Sequence, residues 1–224
     1  MAFAATIRVR LTQVAAAVAT ITASTGLLVD ASAQVRAEGP RMIRKVTTAI
    51  ASAPLLMSAP RPVTLRWEGK DVDGDGADDF INPTGLELRA VDAFGYGHFG
   101  ASRDGGTRDH KGVDYKAAAG QPVKAPISGY ITKIGSAYSS SPEYRYIEIT
   151  NPALRYEARV FYVDPDVRVG ETVRLGDTIG TVRSLKLKYG EAMTDHVHLE
   201  IKAPGGRNID ATQVLTAHVE TARG

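Results

Sequence analysis

Short runs in which apolar and polar residues alternate follow one another along the chain from Pro62 onward, with glycine-rich turns between them. A two-residue period places successive side chains on opposite faces of a β-strand, and β-branched and aromatic residues favour such runs. No long segment shows the 3.6-residue period of a helix, which we expect only over residues 1–60 and 211–222. The pattern predicts a mainly β domain, a compact antiparallel β-sandwich with glycine-rich turns. The clearest runs lie at residues 122–134, 145–150, 158–163 and 197–201.

Two segments within the β region resemble each other. Residues 120–131 and 169–180 each run from a glycine turn through a short apolar strand to a second glycine turn. Glycine permits the positive φ that sharp corners need. The similarity indicates an internal duplication of one compact β unit.

The N-terminal region has the composition of a targeting sequence. In residues 1–33, two arginines precede a weakly apolar run. The small residues Ala31-Ser32-Ala33 then resemble the cleavage site at the end of a signal peptide. A second leader is possible at residues 42–59, where basic residues again precede an apolar stretch. Either leader would direct export, so we expect a periplasmic or extracellular protein. An uncleaved leader that anchors the chain in the membrane is the alternative, and it would be the only membrane contact.

We therefore divide the chain into a signal peptide, a linker over residues 34–65 and one domain over residues 66–218. The formal net charge of +2 is close to balance and gives no support for nucleic-acid binding. The positive charges of residues 183–188 alternate with apolar residues, which predicts one solvated strand face rather than a polyanion contact. The chain has no cysteine, which excludes disulfides and thiolate chemistry.

Two short motifs carry metal-binding side chains. His110 and Asp114 are four residues apart with Gly112 between them, and His196 and His198 lie at alternate positions of a strand-like run. Each pair therefore shares one face of an extended segment, and the glycine leaves room for a ligand. Nitrogen and oxygen donors of this kind suit Zn²⁺, and three protein ligands plus a water form a catalytic site. The motifs predict one zinc ion and hydrolytic chemistry; the alternative is a set of ordinary surface or core histidines.

In order and spacing, the motifs resemble those of the lysostaphin-type zinc endopeptidases, which cut peptide cross-links of bacterial peptidoglycan. The resemblance extends over about residues 94–210. It implies the duplicated-hybrid-motif fold, one Zn²⁺ held by His110, Asp114 and His198, and a catalytic role for His196. The motifs concerned are Phe99-Gly100 with Arg103, His110 to Asp114, the turn at 120–131, the hairpin at 167–180 and the strand His196 to Glu200.

One departure bears on activity. Where the family pattern has Tyr-x-His, this chain has Tyr162-Val163-Asp164. The resemblance places Asp164 where the family has a second catalytic histidine, and a carboxylate can serve as a general base. The same region and residues 195–200 also resemble leukocyte cell-derived chemotaxin, a vertebrate relative that keeps the zinc site, lacks this histidine and is regarded as a binding protein.

Two classes of function follow from the resemblance. The first is a zinc-dependent endopeptidase that acts on peptidoglycan peptides. The second is a catalytically inactive, zinc-stabilised module that binds peptidoglycan peptide or a protein partner, or that activates another hydrolase. The oligomeric state stays open.

Three further residues are expected to bind substrate beside the zinc: His98, Arg103 and Tyr162. His98 lies in the glycine-rich segment 95–100, which we expect to line the cleft; an ordinary surface or structural histidine is the alternative. A separate acidic segment resembles the start of a calcium loop, because carboxylates at alternate positions around a turning glycine suit a hard cation. An exposed acidic turn is the alternative interpretation, since Asn82 stands where an EF-hand needs glutamate. The calcium residues would be Asp71, Asp73, Asp75 and Asp79.

Overall fold

The computed structural model describes residues 63–221. Within this part of the chain nearly all regular structure is β, which confirms the expected fold class. The strands are β1 (Val63–Gly69), β2 (Val91–Asp92), β3 (Gly95–Tyr96), β4 (Ser102–Arg103), β5 (Arg108–Asp109), β6 (Val113–Lys116), β7 (Pro122–Lys124), β8 (Gly129–Tyr138), β9 (Ser141–Asn151), β10 (Tyr156–Phe161), β11 (Val163–Pro165), β12 (Thr172–Val173), β13 (Thr178–Val182), β14 (His196–Lys202), β15 (Asn208–Ile209) and β16 (Leu215–Thr221). A short helix, α1 (Lys186–Tyr189), and two 3₁₀ turns, Asp104–Gly106 and Ala211–Gln213, complete the described residues.

The main sheet is antiparallel and runs in the order β12-β8-β9-β10-β14-β15, with β6 paired to the first half of β14. Its longest strands, β8 and β9, form a hairpin whose register shifts between Ile131 and Lys133 and again near Tyr138. Such bulges increase the local twist and let a sheet curl. The sheet therefore curves around its buried face.

A smaller sheet, β11-β13-β7, packs against the same core. Each of the two similar sequence segments contributes one strand to each sheet. In the smaller sheet β7 of the first segment pairs with β13 of the second, and in the main sheet β8 of the first pairs with β12 of the second. This reciprocal pairing is what an internally duplicated unit would form. Apolar side chains from both sheets are fully buried in one cluster that includes Val123, Ile131, Ile147, Ile179 and Leu199.

The two ends of the described chain pair with each other. Strand β1 lies antiparallel to β16, with Val63 opposite Thr221 and Gly69 opposite Leu215. The helix expected over residues 211–222 is therefore wrong: one 3₁₀ turn precedes a seven-residue strand. Thr216, Val219 and Thr221 are β-branched, and a strand partner is available at β1, so pairing prevails over weak helix propensity.

The basic segment at residues 183–188 also differs from expectation, because α1 replaces the predicted strand face from Lys186 onward. Within residues 63–221, no helix has the length and hydrophobicity needed to cross a bilayer. The two leader segments, residues 1–33 and 42–59, lie outside the described residues.

Candidate active site

Strand register brings the two metal-binding motifs together. Strands β6 and β14 are antiparallel neighbours, and Asp114 stands directly opposite His198. His110 lies just before β6. As a result one ligand atom from each of His110, Asp114 and His198 lies within 4.8 Å of the other two, and all three side chains are buried.

The donor atoms converge on one point. Oδ1 of Asp114 lies 2.9 Å from Nδ1 of His198 and 3.1 Å from Nε2 of His110. The two histidine nitrogens are themselves 2.8 Å apart. Two imidazole nitrogens and one carboxylate oxygen form the donor set of known catalytic zinc sites, so these residues fit the ion.

The outward-facing atoms of the same side chains are engaged elsewhere. Nδ1 of His110 lies 2.7 Å from the carbonyl oxygen of His98, and Nε2 of His198 lies 3.4 Å from a carboxylate oxygen of Glu200. When those nitrogens carry the protons, the lone pairs of the other two nitrogens face the shared point. Oδ2 of Asp114 accepts hydrogen bonds from Arg89 at 2.7 and 3.2 Å, which leaves Oδ1 as the free donor atom.

His196 stands beside this cluster. Its Nδ1 lies 2.7 Å from the carbonyl oxygen of Thr194, and its Nε2 lies 3.7 Å from Oδ1 of Asp114. The rings of Tyr162 and His196 are nearly perpendicular, at a centroid distance of 5.4 Å. The Tyr138 hydroxyl donates to the Tyr162 hydroxyl at 2.9 Å, so the Tyr162 proton is free for another acceptor.

Burial and hydrogen bonding set the charges in the site. Burial opposes ionisation of Asp114, but hydrogen bonds from His110 and His198 outweigh it and hold its pKa well below the ordinary value. Burial would lower the pKa of His198, yet its hydrogen bonds to Asp114 and Glu200 raise that pKa to about 9. For His196 burial prevails and lowers the pKa. Burial also raises the pKa of Tyr162 to about 12, so its phenol stays protonated at neutral pH.

These side chains line an open cleft of about 560 Å³. Its lining combines cationic and apolar side chains around the three buried ligand residues. A peptide segment would therefore meet both hydrogen-bond donors and apolar surface. The cationic side chains are Arg103, Arg108 and Lys111, and the apolar and aromatic ones include Phe94, Tyr138, Tyr189 and Met193.

Asp164 does not take the expected position. It is absent from the cleft lining, and its side chain is 48% exposed and accepts from Arg183 at 3.0 and 3.3 Å. The reason is a left-handed residue, Tyr162, with φ of 65° between β10 and β11. This kink breaks the strand alternation, so Tyr162 lies in the cleft, while Asp164 continues into the smaller sheet opposite Thr181. The side chain that lies beside His196, where Asp164 was expected, is therefore that of Tyr162.

Of the three residues expected to bind substrate, two line the cleft and one does not. Arg103 and Tyr162 line the cleft, but the exposed side chain of His98 does not; His98 contributes its carbonyl oxygen to His110 instead. Gly112 also differs from expectation. A Cβ atom there would lie 2.2 Å from the carbonyl oxygen of Leu199, so the space belongs to strand β14 and not to a ligand.

In the acidic segment, carboxylates of Asp71, Asp73 and Asp79 lie close enough to share a cation. Asp71 accepts from the backbone of Gly74 and Gly76, which lowers its pKa, and Asp75 accepts from Ala77. The loop is largely exposed. Calcium binding there stays a prediction.

Three side chains around the site were not expected from the sequence: Arg89 and Glu200, which contact Asp114 and His198, and Asp92, which contacts Arg89. Glu200 carried a usable signal, because it lies two residues after His198 on the same strand face. Arg89 and Asp92 carried none, because they reach Asp114 and Thr194 only through the tertiary fold.

Residues 108–211 match the family model described as peptidase family M23. An uncharacterized metalloprotease from Haemophilus influenzae is 30% identical over 102 residues, which is 45% of this chain and 20% of that protein. The matched segment thus spans about a fifth of the length of this curated relative.

Solved structures of peptidases are also similar. The catalytic domain of the antimicrobial peptidase lysostaphin from Staphylococcus simulans is 25% identical, with a TM-score of 0.42 over 53% of this chain and 88% of that one. A zinc containing peptidase from Vibrio cholerae is 21% identical, with a TM-score of 0.44 over 59% of this chain and 39% of that one. Residues 108–211 of this chain, which include His110, Asp114 and His198, are thus similar in sequence to peptidase family M23.

Proposed function

We propose that this protein is an exported zinc-dependent endopeptidase that hydrolyses peptide bonds of bacterial cell-wall peptidoglycan. The observation that carries the proposal is the convergence of His110, Asp114 and His198 in an open cleft, with His196 beside them. The match to peptidase family M23 supports a metallopeptidase. The resemblance to lysostaphin-type enzymes supports the substrate, and the leader sequence supports export.

Nε2 of His110, Oδ1 of Asp114 and Nδ1 of His198 would hold the zinc ion. When bound, zinc supplies a Lewis acid that polarises a scissile carbonyl and activates water at neutral pH. The chain supplies the rest. The anionic Asp114 balances part of the positive charge, and Glu200 and the His98 carbonyl hold the two imidazoles in place.

His196 would move a proton in this reaction. Its Nδ1–H donates to the Thr194 carbonyl, so Nε2 carries the lone pair that faces the cleft. That nitrogen accepts a proton from the attacking water and returns it to the leaving amine. The Tyr162 phenol is a hydrogen-bond donor beside it and stabilises negative charge that develops on the carbonyl oxygen.

The proposal is tested with the purified full chain in a cell-wall zymogram, followed by mass spectrometry of the released peptides. Zinc-loaded protein is expected to clear the wall and to expose new amino groups, and chelated protein is not. The His110→Ala variant serves as the control for hydrolysis by a contaminant. Zinc-loaded protein that releases no new amino group from any peptidoglycan type contradicts the proposal.

One observation favours a second function, a zinc-stabilised module that binds cell-wall peptide without cutting it. The residue beside His196 is a tyrosine, and Asp164 faces Arg183. Under this alternative, the protein would sediment with insoluble peptidoglycan and lose that binding on chelation, and it would release no amino groups. The same preparation therefore distinguishes the two functions.

A further inference from the structure

Arg89 is a buried cation without an obvious part in the reaction. It is 4% exposed, and its guanidinium contacts two carboxylates. Nε and one terminal nitrogen donate to Oδ2 of Asp114, and the other terminal nitrogen lies 2.8 Å from Oδ1 of Asp92 and 2.8 Å from the Gly95 carbonyl. Burying an arginine in this way costs free energy unless every contact is made. A purely structural position would be served at lower cost by an apolar side chain.

The two contacts to Asp114 fix the orientation of its carboxylate. Two hydrogen bonds from Arg89 to Oδ2 restrict rotation of the Asp114 carboxylate and leave Oδ1 facing His110 and His198. The backbone supports the same arrangement, because Arg89 N donates to the Asp114 carbonyl at 2.7 Å. Gly97 packs between them so closely that a Cβ atom would lie 2.3 Å from the Arg89 carbonyl and 3.1 Å from the Asp114 Cβ.

The other side of Arg89 leads to His196. Asp92, held by Arg89, accepts from the backbone N–H of Thr194 at 3.0 Å. The carbonyl of that same Thr194 accepts from Nδ1 of His196 at 2.7 Å. One continuous path therefore joins a metal ligand to the neighbouring histidine: Asp114, Arg89, Asp92, Thr194 and His196. It links segments about 100 residues apart in sequence.

We infer that Arg89 is a positioning residue that holds the metal ligand Asp114 and the histidine His196 in one fixed arrangement, with Asp92 as its link to His196. The inference rests on the proposed metal site and deepens it. Partners that orient metal ligands are worth about 10–100-fold in metal affinity. Arg89 is thus expected to control zinc affinity through Asp114, and Asp92 to control the orientation of His196.

The test is a competitive zinc titration of the full chain against a chromophoric chelator, together with nitrogen-15 NMR of the imidazole side chains. Arg89→Gln is expected to weaken zinc binding by about 10–100-fold. Arg89→Lys should weaken it by less, because lysine keeps the charge but cannot donate to Asp114 and Asp92 in the same geometry. Asp92→Asn leaves the contact of Arg89 with Asp114 in place, so zinc affinity should fall by less than about 10-fold, while the Nδ1 signal of His196 shifts. Arg168→Lys, an exposed arginine outside the cleft, is the matched control.

Unfolding of the zinc-free proteins separates positioning from simple structural support. A merely structural Arg89 would lower the unfolding midpoint and leave the zinc affinity of the folded protein unchanged. A folded Arg89→Gln variant with wild-type zinc affinity overturns the inference. If that variant does not fold, unchanged affinity in Arg89→Lys together with an unchanged His196 signal in Asp92→Asn overturns it instead. Wild-type protein that binds no zinc refutes the proposed metal site itself, and the inference with it.

Discussion

Within residues 63–221, two groups of side chains could hold a cation, and they differ in burial and in how their side chains are held. The cluster of His110, Asp114 and His198 is buried, and each member has a partner that holds it in place from behind. The acidic loop with Asp71 and Asp73 is exposed, and its carboxylates already accept from backbone N–H groups of the same loop. Ligand atoms lie close together in both groups, but only the buried cluster among the described residues keeps them away from water while partners hold its other side-chain atoms.

The largest effect is expected from removing the buried cluster. The double variant His110→Ala, His198→Ala should lose its zinc, because two of the three ligand atoms, both nitrogens, are gone. At a free zinc concentration 100 times the Kd, binding stabilises the native state by about 2.7 kcal/mol, so the variant should also lose this thermal stabilisation. Metal analysis and calorimetric melting measure both. Asp71→Asn with Asp73→Asn is the matched control, and equal loss of zinc in the control would break the comparison.

The next effect concerns Tyr162, the residue at the kink, and Asp164, which lies two residues beyond it. Tyr162→Phe removes the phenol beside His196 and should lower the hydrolytic rate by about 10²–10³-fold, the usual loss for one oxyanion donor. Zinc content should not change. Asp164→Asn should leave the rate almost unchanged, because its carboxylate faces Arg183. Steady-state hydrolysis of a defined cell-wall peptide decides between them, and a larger loss in Asp164→Asn would restore the role first expected for that residue.

A smaller effect is expected at Gly112, where the buried motif meets strand β14. An alanine Cβ would overlap the Leu199 carbonyl, and overpacking of this kind costs about 1–3 kcal/mol. Urea unfolding of the zinc-free variant measures the loss. Wild-type stability would show that β14 can move away from Gly112 at little cost.

The smallest effect is expected at the acidic loop. A site of this kind in extracellular modules binds calcium with a Kd of about 10⁻⁴–10⁻³ M, and calcium at ten times its Kd would stabilise the fold by about 1.4 kcal/mol. A thermal shift in millimolar calcium that disappears in Asp71→Asn is the expected result. No shift in the wild-type protein would leave the loop as an acidic surface turn.

Some features of the buried site could be predicted from the sequence, and others could not. The alternation His-Val-His-Leu-Glu correctly placed His196 and His198 on one strand face, because a strand period is local. The register that sets His198 opposite Asp114 is a tertiary property, and the sequence supplied it only through resemblance. The kink at Tyr162 was not predictable, since a non-glycine residue with positive φ has no local signature. Arg89 was missed for a related reason, because it contacts Asp114 across 25 residues of intervening chain.

We propose above all that one zinc ion is held by Nε2 of His110, Oδ1 of Asp114 and Nδ1 of His198. A crystal structure of the zinc-loaded full chain, with anomalous scattering measured on both sides of the zinc absorption edge, tests it most directly. The account predicts one strong anomalous peak in contact with those three atoms and none at the acidic loop. A peak at the loop, or zinc-loaded crystals with no peak at the three buried residues, would contradict it.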